Sequence, residues 1–197
     1  MSSLAASARD FSFLPREISW ILRPLCAADL PVLLAVQRAC YGDGLIESDA
    51  VYARRLASPA QRSLALVAGT GGAGASPLLG YLAAYRSTLG QVTPLHGDFG
   101  GSPASDADSA SDILYLHDMA VLPAFHGRGL AQRLLAAAWQ GARAEGLHQA
   151  ALVSVQGTQA FWARQGFAVR DLPGAAQRQR LAGYGEGAVY MVRDGSG

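Results

Sequence analysis

Apolar positions recur along the chain at two spacings, one extended and one helical. Short alternating or continuous apolar runs at 18–23, 63–68, 78–85, 113–121, 149–155, 167–170 and 188–193 predict strands. Helical spacing predicts helices from Asp29 to about Ala39, over Glu47–Leu56, over Gly129–Glu145 and near Thr158–Arg164. Asp29 is the expected N-cap of the first, with Pro31 in its opening turn, and Ser48 caps the second. The 63–68 and 78–85 runs flank a glycine-rich turn at 69–77, so they read as a hairpin. Strands and helices alternate later in the chain. That order predicts an α/β fold on a mixed sheet.

Residues 1–16 are rich in Ser and Ala and read as an N-terminal extension, leaving 17–197 as one domain. Within it, residues 97–112 carry four Asp, four Ser and no base, the pattern of a flexible surface loop.

Half of the 197 residues are hydrophobic and 16% are charged, enough apolar material for a core and too much for whole-chain disorder. Sixteen bases against fifteen acids give a net charge of +1 with no basic run, which argues against a nucleic-acid partner or a polybasic membrane surface. All sixteen bases are arginine, so no Schiff-base or phosphate-binding lysine is on offer. No membrane span or signal peptide is evident, and a cytoplasmic location is the expectation. Cys26 and Cys40 bracket a helical segment, ~20 Å apart at ~1.5 Å per residue, so neither a disulfide nor a metal site is expected.

Two glycine clusters are candidates for holding phosphate. Gly69, Gly71 and Gly74 satisfy G-x-G-x-x-G after a strand, yet Pro77 and a new strand follow where a helix should open, and a hairpin turn explains them. In the second, Val121-Leu-Pro-Ala-Phe-His-Gly-Arg-Gly-Leu-Ala131, a strand ends, a turn follows and a helix begins at the glycines. Amide N–H groups at the positive end of a helix dipole, with small residues allowing close approach, make a pyrophosphate cradle.

Here the chain resembles the GNAT acetyltransferase superfamily, whose acetyl-CoA motif is Q/R-x-x-G-x-G/A. Gly129, Leu130 and Ala131 supply its last three places, and His126 stands where Gln or Arg is usual. Phe161-Trp-Ala-Arg-Gln-Gly-Phe167 resembles the second signature, an aromatic followed by x-x-x-G-F. Leu116-His-Asp-Met-Ala-Val121 locally resembles the arylalkylamine N-acetyltransferases. The resemblance implies a mixed, mostly antiparallel sheet of about six to seven strands flanked by helices and splayed between 113–121 and 149–155. It also implies acetyl-CoA as co-substrate, no metal, and transfer of acetyl to a small primary amine by direct attack in a ternary complex. Protein or peptide N-acetylation, and a non-catalytic acyl-CoA-binding module, stay as alternatives, and a homodimer stays open beside a monomer.

By the same resemblance, Met119 N–H polarises the thioester carbonyl and Val121 pairs with the pantetheine arm, so that Met119, Ala120, Val121, His126, Gly127, Arg128, Gly129, Leu130 and Ala131 form the cofactor site. Arg128, and less so Arg133, flank the cradle and are placed to reach phosphates, as is His126. Strand alternation puts His117 on the face of Met119 and Val121 and turns Asp118 away, where it would need an arginine or several N–H donors. His117 is then a candidate general base, or a core histidine with a backbone partner. Glu47 is an alternative base or a solvated first-turn glutamate. Trp162 stands where relatives carry a tyrosine acid, which leaves Tyr184 as a replacement donor or a packing residue in a turn. His96 and His148 read as surface residues.

Overall fold

The computed structural model describes residues 19–41, 45–69, 76–97 and 112–195. The expected extension at 1–16, most of the acidic loop, and Gly71 and Gly74 lie outside the described residues. Seven strands form one sheet: β1 (Trp20–Pro24), β2 (Leu64–Ala68), β3 (Leu78–Ser87), β4 (Ile113–Val121), β5 (Gln149–Ser154), β6 (Ala168–Val169) and β7 (Val189–Asp194), in the order β1-β2-β3-β4-β5-β7-β6. Five helices accompany it: α1 (Leu30–Tyr41), α2 (Asp49–Leu56), α3 (Leu130–Ala144), α4 (Gln159–Arg164) and α5 (Ala175–Ala182). Among the described residues none is long and apolar enough to cross a membrane.

Every strand pair is antiparallel except β4/β5. A parallel pair needs a crossover, and α3 supplies it. The helix does so because Leu130, Leu134, Leu135, Ala138 and Ala142 form one buried stripe at helical spacing. The parallel ladder runs only from Ile113↔Gln149 to Leu116↔Leu152. Beyond it β4 continues to Val121 against β3 alone, and β5 continues to Ser154 against β7 alone. The sheet therefore splays open after Leu116, as expected, and leaves one edge of β4 without a strand.

Three local expectations need correction. Asp29 does not cap α1: it closes a short 3-10 turn (Ala27–Asp29) that begins at Cys26, and its carboxylate reaches back to Cys26 N–H at 3.0 Å while Arg23 holds both its oxygens. Helix α5 was not foreseen, because none of its residues is buried and its single large apolar side chain, Leu181, makes no stripe. The third concerns β4. Its register against β3 shifts between Ala83 and Ala84, so that Ala83 pairs with Asp118 and Ala84 with Leu116. His117 is the extra residue of a β-bulge, and a bulge breaks the strict alternation of side chains.

Candidate active site

On the unbulged strand β3, Tyr81, Ala83 and Tyr85 share a face, so their partners Ala120, Asp118 and Tyr115 share it too. The side chains of His117 and Asp118 both turn toward α1 and α2, where their partners are. The expected grouping of His117 with Met119, and Asp118 opposite, is thus overturned by one inserted residue.

His117 Nε2 lies 2.7 Å from Glu47 Oε2, and both side chains are only 2% exposed. Glu47 is not solvated. Arg55 grips its two oxygens at 2.5 and 2.7 Å, and the His96 amide donates to Oε1 at 2.8 Å. Burial acts to raise the Glu47 pKa, but the bonds and charge of His117 and Arg55 outweigh it and bring the group down to about 2. An ionised carboxylate only accepts, so whenever His117 is neutral its one ring proton sits on Nε2. Nδ1 is then the bare nitrogen, buried and without a hydrogen-bond partner among the described residues. With all its acceptor positions engaged, Glu47 orients the imidazole and has no lone pair left to serve as a base itself.

Arg55 was missed by sequence reading. The available signal was its place on the inner face of α2 beside Val51 and Tyr52, since an arginine on a buried face demands a partner. Arg55 also donates to Gly97 O at 2.6 Å, tying down the segment 91–97 that follows β3. The other end of that segment is held by α5 and its following turn: Val92 N–H donates to Gln177, Arg180 donates to Val92 O, and Tyr184 donates to Thr93 O at 2.6 Å. Tyr184 thus spends its proton on a backbone carbonyl, and burial pushes its phenol well above the ordinary value. It pins the segment instead of offering an acid. His96, expected at the surface, is exposed by its side chain yet contributes its N–H to Glu47 from a left-handed backbone, φ 63°.

Asp118 finds neither an arginine nor backbone donors. Tyr52 donates to it at 2.5 Å, Tyr81 and Tyr41 donate as well, and the Gln37 amide approaches at 3.3 Å. Tyr41 Oη is also 2.6 Å from Met119 O. Of these groups Gln37, Tyr41 and Asp118 line one wall of a cleft at the splay, with Leu45, Leu95, Phe161, Trp162 and Tyr184 elsewhere in the lining and a volume of about 830 Å³ counting the solvent in its open mouth.

Leu122 N–H bonds back to Leu79 on β3, so by alternation the main chain of Ala120 also faces β3 while that of Met119 and Val121 faces the splay. Ala120 is buried and lies against β3, away from the open edge of β4. Val121 O is taken by His126 Nε2 at 2.7 Å and Cys40 Sγ at 3.4 Å. His126 is therefore folded onto the strand end and not aimed at phosphates. Burial raises the Cys40 thiol to about 11. Arg128 donates to Ala124 O and lies 5.0 Å from the Phe125 ring, and Arg133 stacks over Trp20 at 4.9 Å.

The fit of the turn to a coenzyme pyrophosphate can be judged from its glycines. Gly127 and Gly129 adopt φ of 74° and 71°, and a Cβ on either would meet nothing within 4 Å. Their freedom serves the outer face, where Leu130 and Ala131 open α3 with N–H groups lacking helical partners. Valine at 129 is strained by its φ and fills that open space. Gly129→Val is expected to weaken CoA binding by at least ~10-fold in calorimetry, and parental affinity would place the cradle elsewhere.

Residues 36–167 match the Acetyltransferase (GNAT) family. The chain belongs to that family and is an acyltransferase. Among curated proteins none matches it at the sequence level. Its fold is similar to that of the PaiA N-acetyltransferase from Thermoplasma acidophilum in complex with coenzyme A (TM-score 0.60, 15% identity, 90% of this chain and 99% of that one). It is also similar to the ribosomal-protein-S18-alanine N-acetyltransferase of Escherichia coli (0.61, 15%, 91% and 96%). A third likeness is to N-acetylglutamate synthase from Neisseria gonorrhoeae with coenzyme A and N-acetyl-glutamate (0.63, 20%, 90% and 35%).

Proposed function

We propose that the protein transfers acetyl from acetyl-CoA to a small primary amine by direct attack in a ternary complex. The observation that carries this is the Glu47–His117 pair, since both residues line the cleft beside the unpaired edge of β4. Acetyl-CoA supplies the activated thioester. The N–H groups of Met119 and Val121 are the chain's contribution to aligning and polarising it, and the turn from Gly127 to Ala131 is its seat for the pyrophosphate. His117 takes a proton from the ammonium, directly or through a water, to free the nitrogen lone pair, and the C–N bond then forms as the C–S bond breaks. Trp162 has no acidic proton to give and Tyr184 has committed its own, so the leaving sulfur takes its proton from the newly acylated nitrogen, which must shed one to become the amide, or from solvent.

A small acceptor is favoured over a peptide because the segment 91–97, fastened at both ends, brings Leu95 into the lining of the cleft. The test is a steady-state assay of thiol release from acetyl-CoA with a panel of primary amines and short peptides, with products identified by mass. Amine-dependent thiol release and N-acetylated amines are expected. Thiol release with peptides alone would overturn the small-amine reading, and CoA binding without any turnover would make the chain a binding module.

A further inference from the structure

The charges around the cleft do not balance. Arg55 and Glu47 cancel, with the guanidinium spent on that carboxylate and on Gly97 O. Asp118 has no such counterpart: Tyr41, Tyr52, Tyr81 and Gln37 are all neutral donors. Neutral donors stabilise a carboxylate without removing its charge. Among the described residues the cleft lining contains no arginine, and the chain has no lysine. Residues 42–44 and 98–111, which continue the chain from Tyr41 and Gly97, bring no base by sequence.

We infer that Asp118, caged by neutral donors in a cleft whose described lining holds no arginine, selects an acceptor amine that carries no carboxylate. This rests on the small-amine reading and narrows its substrate class. An ammonium approaching His117 gains from the Asp118 charge. An α-carboxylate on the same acceptor would sit near that charge, would leave water for a mainly apolar cleft, and would find no arginine or lysine to pair with. Like charges ~5 Å apart at an effective dielectric of ~20 disfavour binding by roughly 300-fold. The apolar remainder of the lining, Leu45, Leu95, Phe161 and Trp162 among it, suits an aryl or alkyl body.

Three matched ligands separate charge from size: phenethylamine, phenylalanine, and phenylalaninamide, in which the carboxylate is masked without loss of bulk. Their affinities for the CoA-loaded protein are measured by calorimetry, which needs no turnover. Phenethylamine and phenylalaninamide are expected to bind, and phenylalanine at least ~30-fold more weakly than its amide, about 2 kcal/mol. In the near-isosteric Asp118→Asn variant that ratio is expected to fall below ~5-fold, while Asp118→Glu retains most of it. Phenylalanine binding within threefold of its amide in the parent would overturn the inference, as would a ratio unchanged in Asp118→Asn or failure of all three ligands to bind. The expected order of binding with no acetylation would sink the acetyltransfer reading and leave the charge selection standing, so the two failures are distinguishable.

Discussion

Replacing His117 with Gln is expected to lower kcat by ~10²-fold or more while CoA affinity stays within about twofold. Glutamine fills much of the imidazole volume and can still donate to Glu47, so the buried carboxylate keeps a partner and the bulge is preserved. What disappears is the bare nitrogen on the far side of the ring. Loss of that group acts on proton removal and leaves the glycine turn untouched, which is why kcat and CoA affinity should part company. Glu47→Gln makes the complementary case. It keeps the shape but gives up the obligate acceptor that assigns the His117 proton to Nε2, and a smaller loss of ~10-fold is expected, with residual activity moving to a different pH profile. Unchanged kcat and pH profile in His117→Gln would transfer proton removal to solvent.

The contrast between these residues shows what a linear reading reaches. The helices with buried stripes were legible because burial writes a period into the sequence, as Leu130, Leu134, Leu135, Ala138 and Ala142 do in α3. The strand, glycine turn and helix start at 121–130 were legible because they are local and contiguous. The Glu47–His117 pair joins residues 70 positions apart, and nothing in either neighbourhood encodes the distance between them. Bulge and cage were hidden for a related reason. A bulge is a mismatch between two strands, so β4 alone reads as an ordinary alternating run and turns Asp118 to the wrong side. Once Asp118 is on the α1/α2 face, Tyr41, Tyr52 and Tyr81 explain themselves, whereas in the sequence each passes for a core aromatic. Helix α5 left no trace because polar bonds hold it to the segment 91–97 and Leu181 alone of its large side chains packs on the core, too little to write a period into the sequence.

Arg55→Leu is expected to be the most destabilising of the changes considered, by ~3–5 kcal/mol, because it strands a buried carboxylate that the remaining partners, His117 and the His96 amide, do not neutralise. Arg55 is 5% exposed and Glu47 2%, so solvent cannot take over. Removing both charges in Arg55→Leu/Glu47→Leu is expected to recover more than half of the loss, since an apolar pair no longer strands a charge, yet activity stays low because His117 has lost its anchor. Acid provides an independent reading of the same pair. The folded Glu47 pKa is lowered from an ordinary 4.5 to about 2. The stability it contributes is therefore fully present above about 4.5 and is lost as the pH falls toward 2. Urea unfolding at pH 7, 4 and 3 should show the parent losing stability across that window faster than Glu47→Gln, which carries no such proton equilibrium. Equal acid sensitivity in both proteins, or an Arg55→Leu variant within 1 kcal/mol of the parent by the same measurement, would mean that water reaches the pair and that His117 is oriented by something other than a dry, arginine-held carboxylate.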